Sequence, residues 1–289
     1  MLTQGYIENP PHNYFKTIYL NLKTQKLLIT GLIIIFIITF LAVFSNFISG
    51  YGPDVQGDIL LDRYLEPSSE HPFGTDKFGR DIFSRVLFGG RISLVIAFSV
   101  VFLSGTIGLL YGTIAGFFGG RIDTLMMRVL DFLLAFPIIF LLIMITAIYN
   151  TSHWYLIPIL GLTGWMETAR IIRAEVLSIK ERDYIQAAIG LGLSNRRIIL
   201  KHIIPNCLSV LFVQAPLKVA EVILLESALS FLGIGIQPPT PSWGTIINDG
   251  REVLTSAWWV ATFPGLFITA TVLSFHLIGD AFKNAIQPK

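Results

Sequence analysis

Charged residues are scarce in this chain. Of its 289 residues, only 14% are Asp, Glu, Lys or Arg, whereas an average soluble domain has about 25%. Hydrophobic residues make up 53% of the sequence, and the mean hydropathy is +0.67. This composition predicts an integral membrane protein with little soluble mass. The net charge of +2 is too small to indicate a nucleic-acid partner.

Cysteine is almost absent as well. The single cysteine, Cys207, excludes an intrachain disulfide and any metal site built from several cysteines. It stands at the start of an apolar stretch, which predicts a buried structural thiol.

The sequence also lacks the motifs of the common catalytic sites. It has no G-x-x-x-x-G-K-[ST] loop, so it cannot hold ATP in a P-loop. It has neither an H-E-x-x-H motif nor a nucleophile elbow around a serine. We therefore predict that the chain is not an enzyme and binds no cofactor or metal of its own.

Long apolar stretches are abundant, and they define the fold class. A helix of about 20 apolar residues, rising 1.5 Å per residue, crosses the ~30 Å hydrocarbon core of a bilayer. The prediction is an all-α membrane protein with six transmembrane helices and a short cytoplasmic helix between the fourth and fifth. Residues 1–26 form a cytoplasmic segment and 27–289 the membrane domain, with the first span retained rather than cleaved as a signal peptide. The predicted spans are about 27–47, 92–118, 130–148, 154–173, 207–232 and 258–278.

Basic residues decide the topology. The fourth stretch has only about a dozen clearly apolar residues, so its length alone is ambiguous. If it spans, fourteen Lys and Arg lie inside, six outside and one in the membrane, in agreement with the positive-inside rule. Without it, the seven basic residues of 170–201 would lie outside. Both termini are therefore predicted to be cytoplasmic.

The fifth predicted span contains Lys218, Glu221 and Glu226. Charge inside a membrane predicts a functional site by default, and Lys218 and Glu221, three residues apart, can pair on one helix face. Two interpretations stay open: these side chains line a translocation path, or they neutralise each other against a partner subunit. Asp131, near the entry of the third span, is expected to pair with Arg128.

Residues 50–90 form a long polar segment before the second span. Asp81 and Arg85 are four apart and are predicted to pair along a helix. His71 beside Asp76 is a weak metal pattern, for which a solvated histidine is the ordinary outcome. The second span itself has glycines three or four residues apart, which predicts close helix packing. These glycines are Gly105, Gly108, Gly112 and Gly116.

The segment 183–206, DYIQAAIGLGLSNRRIILKHIIPN, is the only long basic segment between strongly apolar ones. It predicts a helix over 184–193, a turn, and a second short helix capped by Ser194. Ala188 and Gly192, four apart, are predicted to share a face with almost no side chain, which lets another backbone approach. Pro205 ends the polar part. An ordinary cytoplasmic loop is the alternative interpretation.

This segment resembles the coupling loop of permease subunits of ABC importers. The matching residues are Gln186-Ala187-Ala188, then Gly192, then His202-Ile203-Ile204-Pro205. Glu is usual where Gln186 stands; Gln keeps the length and the hydrogen bonding but loses the charge. The segments 71–94 and 226–251 resemble the dipeptide, oligopeptide and nickel branch, and the chain is similar to the C-type permease of the pair.

The resemblance implies a permease in the bacterial cell membrane that forms half of a translocation path for peptides or nickel and metal-chelate complexes. The implied partners are a second permease subunit, two cytoplasmic ATPases holding ATP and magnesium, and an extracytoplasmic substrate-binding protein. The resemblance also implies that helix 184–193 is a cytoplasmic coupling helix between helices 4 and 5, which would dock on an ATPase. The implied coupling residues are Gln186, Ala187, Ala188, Gly192, Arg196, Arg197 and Pro205. A secondary transporter and a non-transporting scaffold are the alternatives, although no inverted repeat is evident.

Overall fold

The computed structural model describes residues 26–137, 140–141, 143–145 and 153–286, and this part of the chain consists of helices and loops. The helices are α1 (Lys26–Val43), α2 (Ser45–Ile48), α3 (Ile82–Phe118), α4 (Gly120–Leu134), α5 (Leu156–Lys180), α6 (Asp183–Gly190), α7 (Asn195–Ile198), α8 (Ile204–Phe231), α9 (Trp243–Gly250) and α10 (Trp259–Ile286). A π-helical turn, Ile199–Ile203, joins α7 to α8, and 3₁₀ turns occupy His153–Tyr155 and Arg251–Val253. Of the predicted N-terminal segment 1–26, residues 1–25 lie outside the described residues, and Lys26 begins α1.

Four helical stretches of the described chain are long and apolar enough to cross a membrane: Lys26–Val43, Ile82–Phe118, Asn195–Phe231 and Trp259–Ala285. They lie at the first, second, fifth and sixth predicted spans. Helix α5, at the fourth, is not among them, since it carries Glu167, Arg170, Arg173 and Glu175. The six-span arrangement thus stays a prediction.

The third predicted span, 130–148, is not one unbroken helix. Helix α4 ends at Leu134, because Pro137 disfavours helical backbone at the residue before it. Residues 138–139, 142 and 146–148 lie outside the described part of the chain. Helix α4 begins at Gly120, before the predicted start of the span at 130, and the bounds of this span stay a prediction.

Helices α3 and α5 pack backbone to backbone along a face of glycines. A Cβ added at Gly108 would lie 2.7 Å from Thr168 Cβ, and one at Gly116 would lie 2.9 Å from Val176 Cβ. A Cβ at Gly112 would collide with the Ala169 carbonyl oxygen. This confirms the close packing predicted for three of the four glycines. The prediction of close packing is wrong for the fourth, Gly105, because a Cβ added there would meet nothing within 4 Å.

The main core gathers around Trp243 of α9, which is fully buried. Its indole Nε1–H donates to the Val86 carbonyl oxygen of α3 at 3.0 Å, which satisfies the ring's one polar group. Gly90 allows this contact, since an added Cβ there would lie 2.8 Å from Trp243 Cζ2. The loop after α8 therefore folds back against α3 at one end of the bundle.

The bundle has two polar ends, which we name after their short helices. The α9 end comprises residues 44–81 and 232–258. The α6 end comprises residues 117–124 and 180–203, where Lys180 Nζ donates to the Phe117 carbonyl oxygen at 2.8 Å. Long helices run between these ends, so the two polar surfaces lie on opposite sides of the apolar part.

Candidate functional site

At the α6 end, helix α6 stops in a hydrogen-bonded C-terminal cap. Leu193 N–H donates to Ala188 O at 3.1 Å, and Gly192 N–H donates to Ile189 O at 2.9 Å. These two bonds form a Schellman motif, which needs a left-handed residue at its turn. Gly192 supplies it with φ +76°. The glycine therefore shapes the turn after α6.

The predicted small face of Ala188 and Gly192 is wrong. Helix α6 ends at Gly190, so Gly192 lies outside the helix, and the four-residue spacing no longer puts the two residues on one face. Ala188 is buried and packs inside the chain with Ile185 and Ile198. The outward surface instead consists of exposed residues that include Gln186, Ala187, Ile189 and Leu191.

Gln186 joins α6 to the helix before it. Its side-chain Nε2 donates to the Lys180 carbonyl oxygen at 2.8 Å, at the end of α5. A carboxylate cannot donate this bond, so here Gln has a function that Glu would lack. Since Lys180 Nζ in turn bonds the end of α3 at Phe117 O, α6 is linked to two long helices.

The segment after α6 returns directly into the membrane-crossing helix. Ser194 stands at the N-cap of α7, but the predicted side-chain capping bond is absent. Pro205 lies in the first turn of α8, and the chain stays helical through it. The preceding π-helical turn changes the backbone bonding next to proline, which has no N–H to give. Arg196 and Arg197 are exposed on this surface.

Two ion pairs attach α5 to α4. The guanidinium of Arg173 donates through Nε and Nη2 to both carboxylate oxygens of Asp123, each at 2.5 Å. This bidentate hydrogen bonding lowers the pKa of Asp123 below its ordinary value. Arg170 pairs with Asp131 at 2.6 Å. The predicted pairing of Asp131 with Arg128 is therefore wrong: the partner comes from the neighbouring helix.

The intramembrane charges of α8 form part of a three-residue cluster. Lys218 Nζ lies 2.8 Å from Glu221 Oε2, which confirms the predicted pair, and 2.5 Å from Glu167 Oε2 of α5. The Lys218 side chain is 22% exposed, whereas both carboxylates are about 60% exposed. Sequence reasoning missed Glu167 because it lies 51 positions away. Only the charge of α5, unusual in a span, pointed to it.

This cluster borders an open apolar groove of about 730 Å³ between α3, α8 and α10. Phe98 and Gly105 contribute from α3, Phe212 and Lys218 from α8, and Phe275 from α10. The groove gives the ammonium group and its carboxylates a large apolar surface beside them.

Glu226 does not reach this groove. Its side chain is fully buried between α3 and α8, where its carboxylate accepts from Ser93 Oγ at 2.9 Å and from Ser230 Oγ at 2.8 Å. In the single chain, α8 packs against α3 and encloses the residue, and its position on a translocation path stays a prediction. Its hydrogen bonds hold helices together.

A second charged network is buried at the α9 end. Arg80 pairs with Asp76 at 2.7 Å and with Asp249 of α9 at 3.4 Å. Arg85 lies 3.5 Å from Asp76 and 3.6 Å from Asp249, and it donates to the Pro53 carbonyl oxygen at 3.1 Å. This network of ion pairs connects the 50–81 segment to α3 and α9.

The predicted pair of Asp81 and Arg85 is not formed. Asp81 caps α3, where its Oδ2 accepts from the backbone N–H of Ser84 at 2.7 Å. Its other oxygen lies 3.0 Å from His71 Nδ1. His71 is thus partnered by Asp81 rather than lying beside Asp76 as a metal ligand, and Arg85 turns to other carboxylates.

Helices long and apolar enough to cross a membrane, a basic surface at one end and charges beside an apolar groove are the features of a polytopic membrane protein. Residues 108–289 match the family described as "Binding-protein-dependent transport system inner membrane component", and residues 13–67 match the "N-terminal TM domain of oligopeptide transport permease C". The chain belongs to this family, and the resemblance to ABC importer permeases is confirmed.

Several relatives extend over nearly the whole chain. It is 38% identical over 284 residues to the dipeptide transport system permease protein DppC of Bacillus subtilis, which covers 98% of this chain and 88% of that protein. It is 40% identical over 268 residues to the oligopeptide transport system permease protein OppC of Haemophilus influenzae, with 92% and 85% covered. A putative peptide transport system permease protein of Brucella suis is 42% identical over 259 residues, with 90% and 86% covered.

Proposed function

We propose that this chain is the permease subunit of an ABC importer for peptides, forming half of the translocation path beside a second permease subunit. Its family supports the transport function, and its relatives, named as dipeptide and oligopeptide permeases, support the cargo. Two cytoplasmic ATPases would bind ATP and magnesium and do the hydrolysis. An extracytoplasmic binding protein would deliver the peptide.

The α6 end lies on the cytoplasmic side in this proposal. Arg182, Arg196, Arg197 and Lys201 are all exposed there, and the positive-inside rule places such basic residues in the cytoplasm. The α9 end then faces outward. Both chain termini would be cytoplasmic, because α1 begins and α10 ends on the α6 side of the bundle.

The observation that carries the proposal is the outward surface of α6 and its connections. Ala187 and Leu191 face away from the chain, and Leu191 is 81% exposed. This surface can enter a cleft on an ATPase, with Arg196 and Arg197 against acidic residues at its rim. Because α6 is bonded to the end of α5, and α5 to the ends of α3 and α4, a push on α6 would tilt these helices together.

Lys218, Glu221 and Glu167 would line the translocation path. A peptide in transit carries an ammonium group and a carboxylate, and the cluster offers partners for both charges. The apolar groove beside it suits the apolar side chains of a peptide. Glu226, enclosed by protein, has a structural role in this proposal.

The experiment is to replace Ala187 by Trp, with Ala187→Ser as the matched control at the same exposed position. We expect A187W to insert in the membrane with its second permease but to lose the ATPase subunits on purification and ATP-dependent dipeptide uptake. A187S should keep both. Retention of the ATPases and of uptake by A187W would contradict the docking surface. Gly192→Trp is a poorer test, because any side chain there strains the turn.

A further inference from the structure

A turn at the α9 end presents two leucines to solvent. We call this turn, Asp58–Asp62, the Leu60 knuckle. Leu60 is 92% exposed, the highest value for a large apolar side chain in the part of the chain that the structure describes, and Leu61 is 74% exposed. Neither belongs to the groove beside Lys218. Exposing two adjacent leucines to water is unfavourable in free energy, and a partner that covers them removes this cost.

Reciprocal hydrogen bonds hold the knuckle in shape. The Asp58 carboxylate accepts from Leu60 N–H at 2.9 Å, and the Asp62 carboxylate accepts from Asp58 N–H at 2.7 Å. The backbone adds bonds to Asp58 O from Leu61 N–H at 3.1 Å and from Asp62 N–H at 2.7 Å. The leucines therefore stand on an ordered turn, and burying them against a partner costs little backbone entropy.

Hydrogen bonds also attach the knuckle to the segment that follows it. Thr75 Oγ1 donates to Asp62 O at 2.5 Å and accepts from Leu65 N–H at 2.8 Å. Tyr64 N–H donates to Asp76 O at 3.2 Å, and Asp76 belongs to the buried network with Arg80. The tip is thus connected through buried charges to α3 and α9.

The surroundings of the knuckle select a kind of partner. Residues 50–70 contain five acidic residues, Asp54, Asp58, Asp62, Glu66 and Glu70, and one basic residue, Arg63. Anionic headgroups repel such a surface, which disfavours insertion of the leucines into the bilayer. A protein with an apolar pocket inside a basic rim complements both the leucines and the acids.

We propose that the Leu60 knuckle is a docking point for the extracytoplasmic substrate-binding protein on this chain. The family is binding-protein-dependent, so a partner of this kind must reach the outer surface. The inference rests on the proposed orientation, in which the α9 end faces outward. The leucines enter an apolar pocket of the binding protein, and the acids meet its basic rim.

The test uses the complete transporter, both permeases with both ATPases, in lipid nanodiscs, and the substrate-binding protein purified from the same transport system. Leu60→Ser with Leu61→Ser should weaken its binding about tenfold and reduce its stimulation of ATP hydrolysis, with unstimulated hydrolysis unchanged. Leu254→Ser is the matched control, since Leu254 is also exposed, at 53%, at the α9 end. The affinity of the binding protein for this variant should stay within about twofold of its affinity for the unaltered transporter. Because the replaced leucines are exposed, folding should be unaffected.

A photocrosslinking benzoylphenylalanine in place of Leu60 identifies the occupant directly. A crosslink to the binding protein supports the inference, whereas a crosslink to lipid or to the second permease overturns it. Unchanged affinity in the double-serine variant also overturns it, while leaving the permease function intact. If the unaltered transporter assembles with no ATPases and no response to the binding protein, the proposed function itself fails.

Discussion

Single glycines decide how closely two long helices approach. Gly112 of α3 faces the backbone of α5 at Ala169, whereas Gly105, two turns earlier, faces open space. The same substitution at the two positions therefore has different consequences. A methyl group at the first must push helices apart, since backbone atoms cannot move aside as a flexible side chain can.

We expect Gly112→Ala to destabilise the protein by roughly 1–3 kcal/mol. Gly105→Ala should leave stability unchanged or slightly raised, because it fills no occupied space and reduces the freedom of the unfolded chain. A thiol-reactive fluorogenic dye can follow thermal unfolding, since the only cysteine, Cys207, is buried. Equal melting temperatures for the two variants would contradict the packing described.

The charge cluster around Lys218 allows the two interpretations of its role to be separated. Lys218→Gln leaves the carboxylates of Glu167 and Glu221 without their cation, and we expect it to lower peptide uptake about tenfold. Lys218→Arg should retain most uptake. A triple variant with Gln at 167, 218 and 221 removes all three charges.

If the cluster only neutralises itself, the triple variant should transport normally. If it contacts the peptide, uptake should stay low, which is the result we expect. Uptake is measured as labelled dipeptide accumulated at equal membrane content. Restoration by the triple variant would sink the translocation-path assignment.

At the scale of elements, the attachment of α5 to α4 depends on two ion pairs of different burial. The side chains of Arg173 and Asp123 are 29% and 14% exposed, whereas those of Arg170 and Asp131 are 55% and 62% exposed. Bidentate geometry and partial burial strengthen the first pair, and solvent screens the second.

A double-mutant cycle with Asp123→Asn and Arg173→Gln should give a coupling free energy of roughly 1 kcal/mol. The same cycle at Asp131 and Arg170 should give less than about 0.5 kcal/mol.

The stabilisation by Asp123 should also depend on pH. Its pKa is lower in the folded state, so its contribution is present above the ordinary Asp pKa of about 3.9 and lost as the pH falls below it. The melting temperature measured between pH 3 and neutral pH should therefore depend less on pH in the Asp123→Asn variant than in the unaltered protein. An equal dependence on pH in the two proteins would contradict this prediction.

Helix α6 has one face packed against its own chain and one exposed face. Helix α6 buries Ile185 and Ala188 against its own chain and leaves Ala187 and Leu191 outward. Its turn depends on Gly192, and its connection to α5 depends on Gln186. A helix held in this way can carry force, because it cannot rotate freely about its loop.

At the scale of the whole molecule, the two polar ends face opposite sides and the groove lies between them. Cells lacking only this chain should lose uptake of a labelled dipeptide, and the loss should be reversed by the restored gene. Nickel uptake, with or without a chelator, should be unaffected. ATP depletion should abolish the restored uptake, whereas uptake that persists without ATP would indicate a secondary transporter.

Local composition was sufficient to establish the class of this protein. Apolar runs of spanning length, scarce charge and the basic segment 183–206 depend only on residues close in sequence. The apolar length of one segment is enough to show whether it can cross a bilayer. The pair of Lys218 and Glu221 belongs to the same category, since the helix period alone brings them together.

Only the tertiary structure decided the contacts between distant segments. Glu167 reaches Lys218 across 51 positions, Asp249 reaches Arg80 across 169, and Glu226 is enclosed by serines from two helices. Such contacts depend on how helices are rotated and shifted against each other, and that is set by features such as the glycine face of α3. The helix period fixes which residues share a face, but the packed partner determines whether that face looks inward, as Ala188 does, or outward.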